Sequence, residues 1–394
     1  RDFTYRTIFH CGALLSKTDM PASAAFRELL LQQTPMIDVR SPVEFAKGAL
    51  PSAVNLPFIN DKERHLIGLC YKEKGQQAAV NLGHKLVNGD SKDGRVSAWR
   101  TFLEQHPDAV LYCARGGLRS QLSQQWLADT GIVCTRVAGG FKSLRRFLLQ
   151  YLNDSCRTAT FTILSGMTGT GKTDIIKTLN NGIDLEGHAN HKGSSFGRPL
   201  TQQPSQIDFE NGLISAILKV QETQPGQTII LEDESRNIGS LHLPKTLNAT
   251  MADSSIVVID LPLEDRIEKL WQEYVVQRYK ETIAYYKRGD YRYEHGDDLV
   301  QNELGGEKAF SDYLIDSLLR VKKRLGSERT KEILSLMEAA IQRQHTDNFR
   351  SHQDWLRAIT INYYDPMYLY QLDKRKERVV FRGDHQSVIQ WLKG

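Results

Sequence analysis

A chain of 394 residues with 40% hydrophobic and 25% charged residues is long enough for about two domains and has the composition of a folded globular protein. It has no apolar run near the roughly 18 residues needed to cross a bilayer, which argues against a membrane partner, and its five scattered cysteines lack a C-x-x-C pair, which argues against a disulfide framework or zinc ribbon and for a reducing cytoplasm. The net charge of +4 is compatible with nucleic-acid binding without requiring it.

Residues 1–18 read as an N-terminal segment in which no signal peptide is visible. From 19 to 152 strands and helices alternate. Pro35–Val39 is a short buried strand, Arg40-Ser-Pro a turn, and Glu44-Phe45 a short helix; Gly48 to Pro57 then gives turn, strand, turn. After a long polar, helical stretch to Gln105, the strand ending at Tyr112 opens into a glycine-rich loop and a helix with Leu122, Trp126 and Leu127 on one face. A strand at Val133–Val137, the pair Gly139-Gly140 and another amphipathic helix follow. Asn153–Arg157 is polar and aperiodic and reads as a linker. Residues 158–262 start a second α/β unit with strands at 160–165, 228–232 and 255–260, and 263–394 read as a helical extension. The expected fold class is α/β: a parallel-sheet domain, then a nucleotide-loop α/β domain with helices appended.

Two loops carry chemistry. Cys113 to Arg119 fits C-x5-R, in which a thiolate sits within backbone amides at a helix start and a guanidinium closes over a bound oxyanion; such surroundings lower a thiol pKa and make a nucleophile. Cys113 is the candidate catalytic residue, with Arg115, Gly116, Gly117, Arg119 and Ser120 as the anion cradle and Asp38 and Arg40 as support. The alternative for the loop alone is a buried structural cysteine. Gly166-Met-Thr-Gly169-Thr-Gly171-Lys172-Thr173 matches the P-loop pattern between a strand and a helix: its glycines let amides approach phosphates, Lys172 neutralises them, and Thr173 is the candidate ligand for a magnesium ion. Asp233 and Glu234, closing a strand, are candidates to hold that ion through water, with Arg236 nearby. Asp184 to Arg198 reads as a substrate-facing loop.

Residues 320–331 hold six Lys/Arg against one acid, and 374–382 hold five against one. Arg320, Lys322, Lys323 and Arg324, then Lys374 and Arg375, are the candidate nucleic-acid contacts, against the alternative of solvated helix faces. Tyr279, Tyr285, Tyr286, Tyr291 and Tyr293 interleave with basic residues in a mix suited to stacking unpaired bases, although helix packing explains at least half of them.

The order Ile37-Asp-Val-Arg40-Ser-Pro-Val-Glu44-Phe, Gly48 to Pro57, the Cys113 loop and Val137-Ala-Gly-Gly140-Phe resembles the rhodanese domain, whose cysteine carries transferable sulfur or selenium. Phosphatases built on the same loop are a weaker match, because Tyr112 stands where they place a histidine. With the P-loop unit behind it, and with Gly68 to Lys72, Leu82 to Leu86, Asp184 to Gly187, Leu231 to Arg236 and Tyr363 to Tyr368, nearly the whole chain resembles the tRNA 2-selenouridine synthase family. The resemblance implies a transferase acting on wobble 2-thiouridine in the tRNA anticodon arm. Its co-substrates would be selenophosphate, supplied by a partner enzyme, and geranyl diphosphate, with no tightly bound cofactor. Two other readings are a P-loop kinase or NTPase with a regulatory rhodanese module, and a tRNA sulfurtransferase.

Overall fold

The computed structural model describes residues 22–288 and 303–394. The described residues separate into two compact units: 22–157 together with Pro204–Thr223, and Thr158–Gln203 together with 224–288 and 303–394.

The first unit is built on a four-stranded parallel sheet of β1 (Met36–Asp38), β2 (Ala53–Asn55), β3 (Val110–Tyr112) and β4 (Thr135–Arg136), in the order β2-β1-β3-β4. β1 and β3 are buried along their whole length, as runs without alternation require in a covered parallel sheet. β1 is in register with both neighbours, Asp38 lying opposite Asn55 and Tyr112. An apolar core of Ile37, Val39, Phe58, Trp99, Leu111, Trp126 and Leu127 supports β3, with Phe58 stacked on Trp126 at 4.9 Å. The polar stretch 153–157, expected to be a linker, is helical: it closes the helix Gly140–Thr158, whose inner face there is Leu152 and Ser155. The helix Gln206–Thr223 joins this unit through Asn211, which donates to the Ala49 carbonyl at 2.6 Å and accepts from Arg145.

The second unit holds a five-stranded parallel sheet. β5 (Phe161–Gly166), β6 (Gly182–Ile183), β7 (Ile229–Glu232), β10 (Ser255–Ile259) and β11 (Val379–Gly383) run in the order β11-β10-β5-β7-β6, and a small antiparallel hairpin, β8 (Asn237–Ile238) and β9 (Leu241–His242), stands apart. β11 corrects the expectation that everything after 262 is helical: Val379–Gly383 returns to pair in parallel with β10 as the edge strand. The helices between 263 and 373 pack on a core of their own, which includes Phe196, Trp271, Phe310, Met337 and Trp355. Two segments inside them widen to π-helix, Gln272–Gln277 and Thr360–Tyr364. Among the described residues no helix is long and apolar enough to cross a membrane.

Candidate functional site: a thiol loop and a phosphate loop

Cys113 follows β3 directly, and its loop runs into the helix Leu118–Ala128, capped by Gly117, so the positive helix end faces the sulfur. Its Sγ lies 3.2 Å from Ser120 Oγ. Burial alone would raise the thiol pKa, but the Ser120 hydroxyl, the amides of Arg115 and Ser120, and the charge of Arg119 outweigh it and hold the thiol below its ordinary value. The Gly139-Gly140 pair does more than punctuate the chain. Gly140 has φ +58°, and a Cβ on it would stand 2.1 Å from the Cys113 carbonyl, so only glycine lets this turn lie directly behind the loop. The Phe141 amide there donates to the Cys113 carbonyl at 2.9 Å and that of Lys142 to the Ala114 carbonyl at 3.1 Å. Arg136, which sequence reasoning missed, donates to the Gly116 carbonyl.

The arginines divide by partner. Arg119, expected to close over an oxyanion, makes a two-pronged ion pair with Glu44, at 2.5 and 3.0 Å. Burial would raise the Glu44 pKa, but Arg119 and the Ser41 amide bring it down to about 2. Arg40 is buried on Asp38, with Nη2 at 2.6 Å from Oδ2 and 2.8 Å from the Gly48 carbonyl, and its guanidinium lies 3.9 Å from the Phe141 ring. Asp38 and Arg40 thus brace the floor of the loop. Arg115 is exposed.

The P-loop follows the central strand β5, the usual place for a ligand crevice in such a sheet. Gly169 and Gly171 have φ of +85° and +73°, and Lys172 Nζ donates to the Gly166 carbonyl at 3.0 Å. The loop is held from outside. Arg266, buried, donates to the Thr168 carbonyl at 3.2 Å and to both oxygens of Asp365 at 2.7 Å, and His385 bonds to the Thr170 carbonyl. Neither contact has a local sequence signal.

Thr173 Oγ donates to Glu232 at 2.6 Å and lies 3.1 Å from Glu186. Burial, then the charge of Glu186, pushes the Glu232 pKa up to about 7; the same causes raise Glu234 well above the carboxylate range. Asp233 is different: burial would raise its pKa, but Arg375 holds it down. Both Asp233 oxygens bond Arg375, so the carboxylate expected to hold a magnesium ion through water is already engaged. Among the described residues no group of three or more His, Cys, Asp or Glu side chains is placed to hold a metal ion. With the Thr173 hydroxyl also given to Glu232, the donor set does not fit a protein-built magnesium site. Arg236 is exposed, and its carbonyl accepts the Leu243 amide at the hairpin base.

Beside the P-loop opens a cavity of about 1130 Å³. Its lining includes Gly169, Gly171, Lys172, Glu234 and, from the loop expected to face substrate, Glu186 and Lys192–Ser195. It also has a wall of Tyr274, Tyr363, Tyr364, Met367 and Tyr368, and both π-helical segments contribute to it, as such irregularities often do at ligand sites. Ser194 donates to Tyr274 OH and Ser195 pairs with Tyr364 OH, each at 2.8 Å. Of the basic residues proposed for RNA, Arg320, Lys322, Lys323 and Arg324 are exposed along the end of the helix Glu303–Leu325. Lys374 is exposed over the Tyr370 ring, whereas Arg375 turns into the cavity. Tyr279 packs against Phe310 and Phe349 and Tyr286 is buried, as helix packing predicts; Tyr291 and Tyr293 lie outside the described residues.

Fold and site together define a protein with a rhodanese-type thiol module and a P-loop module. Residues 23–146 match the rhodanese-like domain family, and residues 159–394 match the family described as "tRNA 2-selenouridine synthase AAA domain". The chain belongs to the tRNA 2-selenouridine synthase family. It is similar to proteins of that name from Marinobacter nauticus (46% identical, over 95% of this chain and 98% of the relative), Photobacterium profundum (45%, over 93% and 96%) and Shewanella frigidimarina (44%, over 94% and 97%).

Proposed function

We propose that the protein replaces the sulfur of wobble 2-thiouridine in tRNA with selenium from selenophosphate, by way of an S-geranyl intermediate made from geranyl diphosphate. The observation that supports this most is the mixed lining of the cavity, which brings P-loop groups together with tyrosine and methionine side chains. A ligand with an anionic head and an apolar tail suits a cavity lined both by the P-loop and by tyrosine and methionine side chains. The base sulfur attacks the allylic carbon, the carbon–oxygen bond breaks, diphosphate leaves with the electron pair, and N3 loses its proton. Lys172 and the loop amides stabilise the charge that gathers on the leaving oxygen. A thiocarbonyl sulfur departs poorly because it would leave as sulfide, whereas the geranylated sulfur departs as a thiol. The Cys113 thiolate, its pKa lowered in its amide cradle, takes the phosphoryl group of selenophosphate as the phosphorus–selenium bond breaks and hydrogen selenide leaves with the electron pair; selenide adds to C2 of the activated base, geranylthiol departs, and water releases phosphate from Cys113. Arg320, Lys322, Lys323 and Arg324 grip RNA phosphates.

Incubation with a 2-thiouridine anticodon stem-loop, geranyl diphosphate and then selenophosphate tests this by mass spectrometry of the nucleoside. S-geranyl-2-thiouridine is expected after the first addition and 2-selenouridine after the second. Selenouridine formed equally well without geranyl diphosphate would contradict the intermediate, and brisk ATP turnover stimulated by tRNA would contradict the diphosphate cradle.

A further inference from the structure

Arg375 belongs in sequence to a basic run that reads as an RNA contact. Its neighbours behave accordingly or serve the fold: Lys374 is exposed, and Arg378 donates to the carbonyls of Met251 and Ser254 at 3.1 and 3.0 Å. The Arg375 fork instead faces the P-loop cavity. Nη1 and Nη2 each lie 2.7 Å from an oxygen of Asp233, and Nε donates to the Gln371 carbonyl at 3.2 Å, which fixes the plane of the guanidinium.

Asp233 is itself placed by the sheet. It follows β7, and its amide donates to the Leu164 carbonyl of β5 at 3.0 Å, so the carboxylate sits at the strand end that feeds the P-loop. It also accepts from the Ser165 hydroxyl, and Lys172 is near enough for its charge to favour the ionised form. A single carboxylate is therefore engaged by a hydroxyl and a guanidinium fork, on a cavity that Lys172 also lines. A phosphate group would take the same donors, because its oxygens meet a guanidinium fork in the same two-pronged geometry.

We propose that Arg375 is a second cationic contact for the diphosphate, held on Asp233 and transferred to the phosphate oxygens when a diphosphate enters the P-loop. This rests on the reading that the P-loop holds a diphosphate. A fork placed there meets the negative charge that grows as the leaving group departs, where Lys172 supplies only a point charge. Asp233 competes with the ligand for the fork, so substitutions of the two partners act with opposite sign.

The test is calorimetric titration of the whole chain with inorganic pyrophosphate and with geranyl diphosphate, alongside the affinity for an anticodon stem-loop and its salt slope. Arg375→Gln is expected to weaken pyrophosphate binding about tenfold to a hundredfold, with RNA affinity and salt slope as in the unsubstituted chain. Arg375→Lys should fall between the two, and Asp233→Asn should tighten pyrophosphate severalfold, which loss of fold integrity cannot mimic. Unchanged pyrophosphate binding in Arg375→Gln, or weakening in Asp233→Asn, would overturn the proposal. So would lower RNA affinity with a shallower salt slope in Arg375→Gln, which would make Arg375 an RNA contact. If Arg375→Gln fails to fold, Arg375→Lys and Asp233→Asn decide. An unsubstituted chain that binds neither diphosphate would remove the cradle and this proposal together; one that binds both with variants indifferent would remove the role of Arg375 alone.

Discussion

Around Cys113 the sulfur is set by its own loop and the helix that follows it, with supports from elements around one small sheet: Glu44, 75 positions away, on Arg119, Arg136 on the Gly116 carbonyl, and Gly140 behind the Cys113 carbonyl. Around Lys172 they come from far away. Arg266 and His385, which hold the P-loop carbonyls, lie 98 and 215 positions from the residues they touch, and Tyr274, Tyr363 and Tyr364 of the aromatic wall come from two π-helical segments of the helical region. A loop that must preset one thiolate can be encoded locally, because amides, a hydroxyl and a helix end supply all that the sulfur needs. A cavity for a ligand with a charged head and an apolar tail needs walls of two kinds, and a strand–loop–helix motif supplies only the first.

Breaking the distant support should therefore cost more than trimming the local one. Arg266→Ala leaves Asp365 without its partner, and loss of one member of a buried pair costs about 3 kcal/mol or more. Thermal unfolding should show a clear drop, with pyrophosphate affinity falling too; an unfolding temperature equal to the unsubstituted chain would mean that the P-loop does not depend on this clamp.

A smaller effect is expected at Ser120. The wild-type thiol is held low, so thiolate is present at pH values where an ordinary cysteine is still largely protonated. Ser120→Ala removes the strongest hydrogen bond that favours the thiolate, and the midpoint of Cys113 alkylation, followed by peptide mass spectrometry against pH, should move up. A midpoint that stayed in place would assign the lowered value to the loop amides and Arg119 alone.

Both loops were legible in the sequence because each packs its chemistry into one segment at fixed spacing: C-x5-R needs its amides in a row, and the P-loop its glycines and lysine. The parallel sheets were legible as buried runs, such as Ile229 to Leu231, all of them fully or almost fully buried. Three features escaped for physical reasons. β11 is a half-buried edge strand just after a basic run, so its apolar residues are too few and too mixed to stand out. Arg375 was indistinguishable from Lys374 because side-chain direction at a helix end is set by what lies opposite, here Asp233. The tyrosine wall escaped because a π-helical stretch of five or six residues is too short to show a period different from an α-helix.

The central claim is a division of labour between the loops, with Lys172 serving the leaving diphosphate and Cys113 the incoming selenium. The most direct measurement follows the two nucleoside products separately in two variants, using a 2-thiouridine stem-loop for the first step and a pre-geranylated one for the second. Lys172→Ala should slow geranyl addition by about a hundredfold or more while still converting the pre-geranylated base. Cys113→Ser should geranylate normally and form no selenouridine. Equal loss of both steps in both variants would contradict the account.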